Sequence, residues 1–107
     1  MKYLLLAYLL ATSITANASL GNDLSGLVGY TIIASKTITG WYDNDNDKKS
    51  DSFEGCSFSR VIVFDNSQTL TCNEYNYEYS YRPTAIILSN GSSFKMIVGD
   101  HVYNMRR

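Results

Sequence analysis

The stretch Cys56-Ser57-Phe58-Ser59-Arg60-Val61-Ile62-Val63-Phe64-Asp65-Asn66-Ser67-Gln68-Thr69-Leu70-Thr71-Cys72 decides the fold class. In its first half Cys56, Phe58, Ile62 and Phe64 share one face of an extended chain. Ser57, Ser59, Val61 and Val63 share the other. A period of two over β-branched and aromatic residues predicts a strand, because side chains of an extended chain alternate between faces. Asp65-Asn66-Ser67-Gln68 is turn chemistry: Asp and Asn bond their own backbone and tolerate left-handed angles. A second strand starts at Thr69, so the stretch reads as an antiparallel hairpin.

The register of that hairpin bears on Cys56 and Cys72, the only two cysteines. A two-residue loop at Asn66-Ser67 sets them on opposite faces, whereas a three-residue loop or a single bulge sets both on the Phe58/Ile62/Phe64 face. Bridging them also needs a bend near Gly55, since the two Cα atoms of a disulfide lie within about 7 Å. An even cysteine count in an exported chain predicts the Cys56–Cys72 bond. The two cysteines show neither zinc-site nor redox-pair spacing, and there is only one histidine.

Toward the C-terminus, Pro83 ends a strand or marks a sheet edge. Ala85 to Leu88 is a short apolar run, and Asn90-Gly91 is a strong hairpin turn signal with residues 93–98 as the returning partner. Gly99-Asp100 turns the chain once more into a last strand at residues 101–105. Toward the N-terminus, residues 30–42 are rich in β-branched and aromatic types, and Gly40 within them predicts a bulge or tight bend. Leu20, Leu24 and Leu27 are spaced like a short helical turn, which Gly21 and Gly26 keep brief. The chain therefore reads as all-β, a small antiparallel barrel or sandwich of about six strands after a short N-terminal helical turn. Closure into a barrel is favoured because it removes exposed edges.

Residues 1–18 read as a cleaved signal peptide. Lys2 supplies the positive start, residues 3–11 an apolar run far shorter than the roughly 20 residues that span a bilayer, and Ala16-Asn17-Ala18 the small-residue cleavage site. Residues 19–107 then form a single small β domain, exported to the periplasm or the extracellular space, with no stable membrane insertion after cleavage. The chain carries a formal net charge of −1, and losing Lys2 makes it more negative. Nucleic acid is thereby excluded as a partner, since it calls for a basic face.

Two patterns outside the core invite functional readings. Tyr75, Tyr77, Tyr79 and Tyr81 alternate with polar residues, so all four phenols lie on one face of an extended segment. Such a row is either a binding face for sugar rings or peptide side chains, or the packed inward face of the barrel. The second pattern, Asp43-Asn44-Asp45-Asn46-Asp47 followed by Asp51 and Glu54, resembles the calcium loop of EF-hand proteins. That resemblance implies Asp43, Asp45, Asp47, Asp51 and Glu54 as oxygen ligands for calcium. Lys48 stands where the motif has its glycine, and the flanks read as strands. The alternative is a solvated acidic loop.

No catalytic constellation emerges. His101 follows Asp100, but strand neighbours point to opposite faces, and a wet acidic loop is a poor place to raise a carboxylate's pKa. The expectation is a non-enzymatic binding module whose partner is an envelope glycan, a peptide or another exported protein. An inhibitor or immunity-type protein using the acidic loop, and a purely structural envelope protein, are the alternatives.

Overall fold

A computed structural model describes residues 24–107. The signal peptide expected at residues 1–18 and the start of the expected N-terminal helical turn lie outside the described residues. Seven strands follow: β1 (Thr31–Asp43), β2 (Lys49–Ser50), β3 (Arg60–Phe64), β4 (Thr69–Cys72), β5 (Thr84–Ser89), β6 (Phe94–Val98) and β7 (His101–Arg106). All pairings are antiparallel, in the order β2-β1-β3-β4-β7-β6-β5, and β5 returns to β1. Six strands thus close an all-β barrel, with the two-residue β2 added at the side of β1.

Closure depends on β1, which serves two neighbours in succession. Its first half pairs with β5, from Thr31 opposite Ser89 to Thr37 opposite Thr84. Its second half pairs with β3, from Ile38 opposite Phe64 to Asp43 opposite Arg60. A flat strand cannot do this; irregularities between Ile32 and Ala34 and between Ile38 and Gly40 bend it. Gly40 is at the second of these, as its place in the sequence predicts. A Cβ there would collide with the main chain of Ser50 and Asp51.

The β3–β4 connection is a three-residue loop. Phe64 donates its N–H to Gln68 at 2.9 Å, and Ser67 takes the left-handed backbone at φ 66°. This register puts Cys72 on the inward face with Phe64 and Leu70, all buried. The Cys56–Cys72 disulfide forms, with a Cα–Cα distance of 5.6 Å. The necessary bend lies at residues 57–59, where Arg60 donates to the carbonyl of Ser57 and Ser59 adopts φ 70°. Consequently β3 begins at Arg60, later than the alternation predicts, and Phe58 falls outside the core at 64% exposure. At the other hairpins, Asn90 accepts from the N–H groups of Ser92 and Ser93. Gly99 supplies the positive φ of the two-residue β6–β7 turn.

The interior is filled, not hollow. Ile38, Ile62, Phe64, Ala85, Ile87, Met96, Val98, Tyr103 and Met105 come from the strands. Phe53 enters from the β2–β3 connection and meets Tyr103 edge-on at 5.6 Å between centroids. One mouth of the barrel, where β4 ends and β3 and β5 begin, is covered by two connecting segments. Residues 51–59 and 73–83 pair antiparallel there at Phe53–Ser80 and Cys56–Asn76. The disulfide ties the base of the first to the last residue of β4.

Candidate functional site

The tyrosine row lies on this cover. The strand expected to carry it stops at Cys72, and residues 73–83 form an extended strap that joins no barrel strand as a ladder. The reason is chemical. The polar residues, not the tyrosines, turn inward, and they reach the barrel through side chains. Glu74 accepts from the Asn104 main-chain N–H at 2.6 Å and meets His101 Nε2 at 3.2 Å. Asn76 donates its amide to the Tyr103 hydroxyl at 3.4 Å, and that hydroxyl donates to Glu78 at 2.8 Å. Carboxylates and an amide between strap and barrel hold the chain at side-chain distance from β7 instead of in its ladder.

Period-two alternation then sends every tyrosine outward. Tyr75, Tyr77, Tyr79 and Tyr81 are 61–70% exposed. Four neighbouring exposed rings form a large amphipathic surface, with the Arg82 guanidinium over the Tyr81 ring at 5.6 Å. Aromatic rings that dock a partner do so at low entropic cost, having two side-chain torsions each. The other edge of the strap is held at close quarters. Gly55, at φ +79°, passes so near that a Cβ would fall 2.7 Å from the Glu78 nitrogen and 2.9 Å from the Tyr77 Cα. The row is therefore fastened from below by polar bonds and from the side by main-chain pairing.

At Tyr77 the row opens into a cleft of about 570 Å³ bounded by Trp41, Arg60, Glu54, Lys48 and Lys49. Arg60 organises its floor. Its guanidinium stacks on the Trp41 ring at 3.7 Å. It also forms a two-point ion pair with Asp43, Nε to Oδ1 at 2.8 Å and Nη2 to Oδ2 at 3.2 Å. Trp41 Nε1 donates to Glu54 at 3.1 Å.

These contacts redistribute the acidic residues grouped in the calcium-type reading. Asp43 is buried as the last residue of β1 and committed to Arg60, while Glu54 is committed to Trp41. Asp45 and Asp47 lie on the exposed turn that joins β1 to β2, closed by the Asp43 N–H to the Lys48 carbonyl at 2.8 Å. Asp51 is exposed beyond β2. Among the described residues no group of three or more histidine, cysteine or acidic side chains is placed to hold a metal ion. The segment is a short hairpin, with Asp47 in the left-handed region at φ 57°.

Among the described residues the one strongly perturbed titrating group is Tyr103. Burial, and then its bond to Glu78, push the phenol well above its ordinary value near 10. It stays a neutral donor, which is the form the strap needs. Sequence reasoning missed Glu74, Asn76 and Glu78 as the anchors and Gly55 as the close-approach residue. The anchors share the alternation that revealed the tyrosines, but the pattern does not say which parity faces in. No protein-family model matches this chain, and no curated protein or solved structure is detectably similar to it.

Proposed function

We propose that the protein is a non-enzymatic, exported binding module that engages its partner through Tyr75, Tyr77, Tyr79 and Tyr81. The observation that carries this reading is the exposure of all four rings on a segment held along one edge by main-chain pairing and from below by side-chain bonds. Burying a tyrosine offers roughly 1.5–3 kcal/mol of favourable transfer. Four exposed rings are a costly surface unless something covers them, and contiguous exposed apolar patches mark interaction sites. The partner class is an envelope glycan, a peptide or another exported protein, each able to stack on phenol rings and bond their hydroxyls. Export is supported by the leader-like residues 1–18 and by a disulfide, a bond that persists in oxidising compartments.

The inhibitor reading, in which an acidic loop plugs a basic cleft, draws less support. Asp43 and Glu54 are used internally, and Lys48 and Lys49 flank the remaining acids. The deciding experiment exposes the purified, disulfide-bonded protein to immobilised glycan and peptide libraries. It compares wild type with a variant in which all four tyrosines are serine, the fold of each being checked by its melting temperature. Retention by wild type that the folded variant lacks is expected. Equal retention sinks the tyrosine reading and moves binding to another surface; no retention by either leaves a structural envelope protein.

A further inference from the structure

The strap's main chain is divided by parity. Asn76 exchanges N–H and C=O bonds with Cys56, and Ser80 does so with Phe53, at 2.7 to 2.9 Å. An extended chain points successive peptide groups to opposite edges. The groups of Tyr75, Tyr77 and Tyr79 therefore face the edge away from residues 53–56. Among the described residues no hydrogen bond reaches their N–H groups or carbonyls. These three residues are also exposed. The strap is an unpaired β edge carrying four aromatic rings. Such an edge templates another strand unless a bulge, a lysine or a proline blunts it. Arg82 at φ 46° and Pro83 blunt the far end, while the charged Glu74 and Glu78 turn toward the barrel and away from this edge. At the near end Asn73 bonds Asn104 of β7.

We infer that the strap accepts an extended segment of another exported polypeptide as an added strand. Its main chain bonds to Tyr75, Tyr77 and Tyr79, and its side chains seat between the phenol rings. This deepens the binding-module reading and rests on it, narrowing the partner from glycan or protein to extended peptide. The choice follows from the row of unmet groups. Donors and acceptors recurring every second residue, roughly 7 Å apart along one edge, are matched by a second extended chain with the same repeat. A sugar chain can stack on the rings but presents no such alternating row. The free edge spans residues 75–80, before the chain bends at Tyr81 and Arg82, enough for a segment of about four to six residues.

The test starts from the free protein. Amide exchange should be slow at Asn76 and Ser80 and fast at Tyr75, Tyr77 and Tyr79. Decapeptides are then selected from a displayed random library on the disulfide-bonded protein. Each is synthesised twice, once unmodified and once N-methylated at alternate residues so that one edge cannot donate. The unmodified peptides are expected to slow exchange at Tyr75, Tyr77 and Tyr79 at least tenfold, and N-methylation on the pairing edge to weaken binding at least tenfold. On the protein side, Tyr77→Ser and Tyr77→Pro both lose the ring but only proline loses the N–H, so the proline variant should bind several-fold more weakly. Retained protection of Asn76 and Ser80 would show the strap intact in both. Equal binding by methylated and unmodified peptides overturns strand addition while leaving the tyrosine surface as a binding face. Selection of no peptide, or dimerisation through the strap in its place, overturns it also. Undiminished peptide binding by the four-serine variant overturns the parent reading instead.

Discussion

Replacing Gly55 with alanine tests the central claim about the cover, that two segments are pressed together over the barrel mouth. The new Cβ would sit at φ +79°, with the Asn76 carbonyl, the Glu78 nitrogen at 2.7 Å and the Tyr77 Cα at 2.9 Å all in its way. Every one of these is backbone, so no side chain can swing aside. Asn76 cannot retreat without breaking both of its bonds to Cys56, and Cys56 is anchored by the disulfide. The left-handed backbone alone penalises alanine by about 1–2 kcal/mol. Losing the Cys56–Asn76 pair and loosening the Tyr103–Glu78 bond raises the cost to about 4 kcal/mol. In a domain of this size each kcal/mol lowers the melting temperature by roughly 4–8 °C. Gly91 supplies the control, because it also has positive φ, +102°, but nothing lies within 4 Å of its added Cβ. Gly91→Ala therefore carries only the conformational part, about 1–2 kcal/mol. Thermal denaturation followed by circular dichroism compares the two. If Gly55→Ala is no more destabilising than Gly91→Ala, the close approach of strap and connection is refuted.

Three further outcomes follow from the same contacts, and a fourth from the acidic hairpin. Cys72→Ser opens a loop with a sequence separation of 16 and should lower stability by about 3 kcal/mol in denaturant titration. Intact mass of the wild type should show no free thiol. Arg60→Met leaves the buried Asp43 carboxylate without its partner and should cost about 3 kcal/mol or more. Arg60→Lys should recover only part of this, since an ammonium cannot make the two-point pair and stack on Trp41 together. Tyr103 has its folded-state pKa raised above the unfolded value near 10. Its contribution is thus complete below pH 10 and lost above it, as the unfolded chain releases a proton that the native state keeps. Wild type should lose about 1.4 kcal/mol per pH unit there relative to Tyr103→Phe. Millimolar calcium should leave the melting temperature where chelator leaves it, because Asp43 and Glu54 are already engaged.

How much of this was legible in the chain depends on whether a residue's neighbour lies near it in sequence. The β3–β4 hairpin announces itself because period-two alternation and Asn/Ser turn chemistry act within a dozen residues. Gly40 reads correctly as a bend for the same reason. Where the partner is distant, pattern gives only half the answer. In residues 74–81 alternation establishes that tyrosines and polar residues occupy opposite faces. Hydrophobicity would send the rings inward, since burying phenols is favourable and burying carboxylates is not. That preference is reversed by Tyr103, which stands 25 residues beyond Glu78. Its buried hydroxyl must find a partner, and only the strap's polar parity supplies one. Asp43 follows the same logic. Regular oxygen spacing suggested a metal loop, but Arg60, 17 residues away, arrives opposite it once β1 pairs with β3. A single cation meets the need that calcium would have met. The barrel closure that aligns β1 with β3 thus commits Asp43 to Arg60, and Tyr103 at the barrel mouth leaves the tyrosines exposed. The fold's long-range register, more than any local motif, decides which side chains remain for a partner.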